Sequence, residues 1–290
     1  MPKKKYIPRA SDILGFALIL SAILYFLSAW MSSRFGMSEL SLFVKLLLYL
    51  PIFLAPTFFV YVAYLHFRMP FPVPMRTLGY NESAMLTVST FGAIILVQVL
   101  YSSVFPSVII DSGVEKTGSL FGFMLLFFSS VVIPAILQEL FFRGVVLRAL
   151  MAYRALLAIL ISSVVFALMR FSLEAFPLAF FCGFMIGSLY CATGSLMAAT
   201  SVHISVNAVW FLAETVSVYV PARYSLFMRI LVASCVLLFA FGLPFLKKTV
   251  RAILADEFDD ASLPSLQFWG VPIIVFLVLS IAVQFFFGSV

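Results

Sequence analysis

The segment PAILQELFFRG, Pro134 to Gly144, carries Gln138, Glu139 and Arg143 inside a long apolar run. On a helix, residues four apart share a face, so Glu139 and Arg143 are spaced to pair along the axis with the acid N-terminal, the favourable order. Gln138 lies about 100° around from Glu139. A second apolar run carries His203 and Asn207, again four apart, with Thr200 and Glu214 extending the stripe. A glutamate, a histidine and an asparagine that converge in a wet pocket can activate water and hold an oxyanion. Glu139 would act as base, His203 as donor or proton shuttle and Asn207 as hydrogen-bond donor. That is hydrolysis without a covalent nucleophile.

The elements that must position these residues are membrane helices. The chain has 64% hydrophobic and 10% charged residues with a mean hydropathy of +1.16, more apolar surface than a water-soluble domain of this length can cover. Runs long enough to cross the hydrocarbon core recur throughout, and about nine spans are expected. They run approximately Ile13–Trp30, Leu42–Tyr64, Ala84–Ile110, Phe121–Val145, Leu156–Arg170, Phe176–Ala192, Leu196–Tyr219, Leu226–Leu246 and Trp269–Phe287. The expected fold is all-α, a polytopic transmembrane helical bundle forming one integral membrane domain over residues 1–290.

Lysine and arginine accumulate on the cytoplasmic side of a membrane. Lys3, Lys4, Lys5 and Arg9 therefore put the N-terminus inside. Arg68 with Arg76, Arg148 with Arg154, and Lys247, Lys248 and Arg251 mark the other inside loops. The outside loops carry Asp111 and Glu115 against Lys116, Glu174 beside Arg170, and Glu214 against Arg223. The net charge of +6 then faces anionic lipid, and no nucleic-acid partner is expected. No A-x-A-like cleavage site follows the first apolar run, so it reads as an uncleaved span. The acidic stretch ADEFDD, Ala255 to Asp260, reads as a solvated linker.

Ionisable groups near the midplane cost roughly 2.5–3.5 kcal/mol each on insertion scales, so they persist where they have partners or a task. The competing account of Glu139 and Arg143 is packing glue between helices. Arg170 falls toward a span end, where it would snorkel or pair with Glu174 or Glu214. Gly183 and Gly187, spaced G-x-x-x-G, mark close helix contact. Cys182, Cys191 and Cys235 suit neither a disulfide framework nor a zinc site and read as small packing residues. Zinc is the rival to water activation by glutamate. However, H-E-x-x-H is absent and one histidine cannot supply the usual three protein ligands, so no metal or other cofactor is expected.

The string PAILQELFFRGVVLRAL resembles the first motif of the CAAX protease and bacteriocin-processing (Rce1-like, Abi) family of intramembrane proteases, E-E-x-x-x-R ending in F-R-G. The second motif, F-x-x-x-H, aligns with Phe166 to Arg170 in FALMR. The third, H-x-x-x-N, aligns with His203 to Asn207 in HISVN, preceded by CATGSLMAATSVH. The motifs come in family order and define a motif-bearing core over about residues 118–212. The resemblance implies a helical intramembrane fold, a conical cavity open toward cytoplasm and lipid, and a glutamate-dependent endopeptidase activity. Of the motif residues this chain keeps, Glu139, His203 and Asn207 are the candidate catalytic residues and Arg143 a supporting one.

This chain departs from the pattern at two positions. The first glutamate of the pair, to which the family's water-activating role is given, is Gln138, and an amide has no useful basicity near neutral pH. The second-motif histidine is Arg170, which stays protonated and cannot shuttle a proton. For Glu139 to replace the missing base it would have to turn through a large angle, or the helix would have to unwind near Pro134. The expectation is a family-fold membrane protein with weak or lost peptidase activity that binds membrane-associated peptides or partner proteins. The alternatives are an active protease using Glu139 and His203, and a small-solute transporter, for which inverted repeats are not visible. The expected partners are membrane lipids and a membrane-associated peptide or protein. The expected location is multi-pass in a bacterial cytoplasmic membrane, although an internal eukaryotic membrane would fit the same physics.

Overall fold

The computed structural model describes residues 10–34, 42–69, 78–105, 119–151, 155–254 and 270–287. Lys3, Lys4, Lys5, Arg9, Arg76, Asp111, Glu115, Lys116, Arg154 and the stretch ADEFDD lie outside them. The described residues form helices and no strands, because in lipid each backbone N–H and C=O must find its partner within the segment. Among the described residues there are nine helical rods. They are α1 (Ala10–Arg34), α2 (Leu42–Phe67), α3 (Tyr80–Val104), α4 (Leu120–Leu150), α5 (Ala155–Leu168), α6 (Phe176–Thr193), α7 (Leu196–Tyr219), α8 (Pro221–Leu254) and α9 (Val271–Phe287). Large apolar side chains point outward along them, among them Phe58, Phe121, Met197 and Phe241, as an integral membrane protein requires.

Seven of the helices are long and apolar enough to cross a membrane alone. The two others are α5, with 14 residues, and the apolar part of α9, Val271–Ala282. At 1.5 Å per residue α5 is about 21 Å long, short of a hydrocarbon core of about 30 Å. It packs along α6 and against the second half of α4. Boundaries differ from the sequence reading at both ends of the molecule. The third helix begins at Tyr80 rather than near Ala84, and α8 runs 34 residues from Pro221 to Leu254, about 51 Å. Hydropathy ends where charge appears, whereas the helix continues through Lys247, Lys248 and Arg251 because these are good helix formers.

Close packing has legible causes. Gly183 lets α6 approach α5 so nearly that an added Cβ would come 3.1 Å from Ser163 Cα, and one at Gly187 would touch Ile159. The G-x-x-x-G expectation therefore describes this interface. The α3–α8 pair uses the same device from both sides. A Cβ at Gly92 would lie 2.8 Å from the Cys235 carbonyl oxygen, and one at Gly242 would overlap Ser89. All three cysteines are free and buried. At the α6–α7 corner Gly194 takes φ 62°, a left-handed value that favours glycine, and its N–H donates to the Tyr190 carbonyl at 2.9 Å. Ser195 then caps α7 by accepting from the Ala198 N–H. This two-residue corner sets the antiparallel register of α6 and α7.

The fourth helix is the centre of the arrangement, touching α2, α5, α6 and α7. It is α-helical except for two widened π turns, Phe128–Val132 and Phe142–Leu147. The first comes directly before Pro134, where a kink is expected from the missing N–H. There the Ile133 N–H reaches back five residues to the Phe128 carbonyl.

Replacing Gly242 by leucine should lower the stability of the detergent-solubilised protein by about 1–3 kcal/mol through overpacking against α3. Thermal unfolding is the readout. Gly79→Ala, where an added Cβ would meet nothing nearer than 4.0 Å, should leave the midpoint unchanged.

Candidate functional site

Glu139 and Arg143 occupy adjacent turns of α4 on the face turned toward α6 and α7. Arg143 Nη1 donates to Glu139 Oε1 at 2.8 Å, and the two side chains are 1% and 0% exposed. His203, from the first half of α7, brings Nδ1 to the same oxygen at 2.7 Å. A carboxylate oxygen accepts, so the contact is made with Nδ1–H as the donor and leaves Nε2 turned away from Glu139. The hydrophilic faces of α4 and α7 thus meet, and Glu139 Oε1 is the point at which they join.

The neighbours of this contact come from three further helices. Arg143 Nη2 donates to the Gly183 carbonyl of α6 at 3.0 Å, so the glycine that permits close packing also presents its carbonyl to the guanidinium. The Phe166 ring of α5 lies beneath Arg143, 5.0 Å from Cζ, a cation–π contact. It meets the His203 ring edge-on at 6.0 Å. Phe141 and Phe142 pack on Phe53 of α2 and close the apolar side. Glu139 Oε2 and Arg143 Nε are buried and have no protein hydrogen-bond partner.

The other sequence-selected residues are distributed around this centre. Asn207, one turn beyond His203, sends its amide to the Val131 carbonyl at 3.4 Å, inside the first π turn. It therefore ties α7 to α4 and does not touch the carboxylate. Gln138 faces α2, where its Nε2 donates to the Tyr49 hydroxyl at 2.7 Å. Arg170 follows the end of α5 and is exposed. Among the described residues it forms no ion pair, so neither Glu174 nor Glu214 is its partner. The site is compact: Gln138 and His203 are each 8% exposed, and Glu139 is completely covered.

Sequence reasoning missed Tyr49, the Gly183 carbonyl and a polar bridge one layer away. In that bridge the Trp210 indole N–H donates to Gln98 Oε1 at 2.6 Å, and Gln98 Nε2 donates to Cys182 Sγ at 3.8 Å. Gln98 was visible as an amide within an apolar helix. A tyrosine among the aromatics of α2 and a backbone carbonyl carry no comparable signal.

A metal does not fit well here. Glu139 and His203 offer two donors, Asn207 is turned to Val131, and no group of three His, Cys, Asp or Glu side chains occurs among the described residues.

Residues 120–209, from the first residue of α4 to just past Asn207, match the family model described as type II CAAX prenyl endopeptidase Rce1-like. The chain carries an Rce1-like region. No curated protein and no solved structure matches it. All the groups in direct contact with Glu139 and Arg143 fall inside the Rce1-like region, whereas Tyr49 and Gln98 come from helices before it.

Removing Arg143 alone, as Arg143→Met, should cost about 3–5 kcal/mol because it strands a buried carboxylate. The double variant Glu139→Gln with Arg143→Met should recover a large part of that loss. A thermal-unfolding double-mutant cycle in detergent measures the coupling.

Proposed function

We infer that this integral membrane protein, with its Rce1-like region, is of the CAAX-protease type. We propose that it has lost the peptidase chemistry of that type and acts by binding a membrane-associated peptide or partner protein. The observation that carries this reading is the commitment of Glu139. Its one bonded oxygen is shared by Arg143 and His203, and the side chain is wholly buried. A carboxylate held by a guanidinium at 2.8 Å is a weakened base, since the paired cation stabilises its ionised form. The position beside it supports the same reading. Gln138 is an amide, not an acid, and one of its N–H groups is bonded to the Tyr49 hydroxyl, while Arg170 puts a guanidinium where the family pattern has an imidazole.

A second reading is favoured by the 2.7 Å contact between Glu139 and His203. Here Glu139 orients the imidazole and His203 Nε2 activates water, so that the glutamate serves as orienting group and not as base. This keeps hydrolysis alive without requiring Glu139 to turn. Its weakness is that misplacement by even 1 Å can cost about 100-fold in rate, and the expected base position is held by an amide.

Peptide mass spectrometry of membranes with and without the protein separates the two. The proposed reading expects no cleaved peptide that depends on the protein, and identical profiles for wild type, Glu139→Ala and His203→Ala. Peptides that appear with wild type and vanish in both variants would establish the second reading.

A further inference from the structure

Three polar side chains lie on one stripe of α7. His203, Asn207 and Trp210 follow one another at four and three residues, so His203 and Trp210 are two turns apart, about 10 Å of rise, on nearly the same face. Each finds a different partner. His203 meets Glu139 Oε1 at 2.7 Å and Asn207 the Val131 carbonyl at 3.4 Å, both on α4. Trp210 donates its indole N–H to Gln98 Oε1 of α3 at 2.6 Å, the shortest of the three. The same amide reaches a second helix. Gln98 Nε2 donates to Cys182 Sγ of α6 at 3.8 Å, and Cys182 directly precedes Gly183, whose carbonyl accepts from Arg143 Nη2 at 3.0 Å. One side chain of α3 is thus fastened to both helices that complete the Glu139–Arg143 pair.

The support behind Gln98 is firm. Helix α3 interlocks with α8, because an added Cβ at Gly92 would lie 2.8 Å from the Cys235 carbonyl oxygen and one at Gly242 would overlap Ser89. The start of α7 is fixed separately by the Gly194–Ser195 corner, and Gln98 fixes the helix again two turns past His203. His203 lies between these two points, eight residues after Ser195 and seven before Trp210. A helix is stiff over two turns, so a slide or rotation of α7 at Trp210 is carried to the imidazole.

We infer that Gln98 is a positioning residue for the Glu139–His203 contact. By holding Trp210 it sets the height and rotation of α7, and through Cys182 it steadies the strand of α6 backbone whose carbonyl holds Arg143. Gln98 precedes the Rce1-like region, residues 120–209, and Trp210 is the first residue after it. The histidine of that region is therefore set by a helix outside it. Polar side chains between membrane helices also serve as plain packing glue. Positioning differs from glue in one respect: loss of Gln98 changes what His203 contributes. Both functional readings keep the Glu139–His203 contact, so Gln98 holds it under either.

Thermal unfolding of the full chain in detergent tests this through a double-mutant cycle of Gln98→Leu with His203→Phe. The control is Tyr101→Phe. Tyr101 lies one turn further along α3, and its hydroxyl donates to the Glu174 carbonyl in the α5–α6 turn at 2.6 Å. Distant residues that share no partner give additive losses. The midpoint should fall in each single variant, and the fall caused by Gln98→Leu should be smaller when His203 is already replaced by phenylalanine. Tyr101→Phe should lower the midpoint equally in both backgrounds. Trp210→Phe removes the donor and keeps an aromatic ring; it should show the same coupling to His203 and serves where Gln98→Leu does not assemble. Additive losses between His203 and either Gln98 or Trp210 overturn the positioning role and leave packing glue. Equal coupling of His203 to Tyr101 also overturns it, because the effect would then be a general loosening of the bundle.

Discussion

One buried oxygen, Glu139 Oε1, holds the Rce1-like region together. It receives Arg143 from the next turn of its own helix and His203 from α7, at 2.8 and 2.7 Å. A charge buried in such surroundings is costly unless it is paired and hydrogen-bonded. The rest of the region can be understood as supplying those partners: Gly183 brings α6 close and presents a carbonyl to Arg143, Phe166 of α5 provides the aromatic face, and the Gly194–Ser195 corner fixes the height of His203 relative to α6. The second carboxylate oxygen, Glu139 Oε2, is buried without a protein partner.

Much of this centre was legible in the sequence. The i, i+4 spacing of Glu139 and Arg143 fixed their pairing before any fold was known, since helical geometry alone places them together. His203 was legible as their partner because a polar face within an apolar helix is cheapest to bury against another polar face. Pro134 marked the first π turn. What could not be read came from parts of the molecule without a compositional signal. The second π turn, Phe142–Leu147, contains no proline. The Gly183 carbonyl is backbone, and Tyr49 is one aromatic among many in α2. Asn207 sits where its spacing puts it, but the π turn exposes the Val131 carbonyl to it, and the amide takes that partner in place of the carboxylate.

The helix count shows the same division. Apolar run length marked every rod but could not distinguish a full crossing from a short packed helix. Alpha5, at 14 residues, and α8, at 34, lie on either side of a single bilayer thickness. Their lengths are set by the turn at Arg170 and Phe171 and by helix-forming lysines and arginine, neither of which hydropathy measures.

The site turns on the hold of Glu139 on the His203 ring through Nδ1. With only two histidines in the chain, ¹⁵N solid-state NMR of histidine-labelled protein in lipid bilayers can resolve His203 directly. A protonated, strongly hydrogen-bonded Nδ1 is expected, with a signal that shifts when Glu139 is replaced by glutamine. A His203 spectrum with a bare Nδ1, or one unchanged in Glu139→Gln, would contradict it.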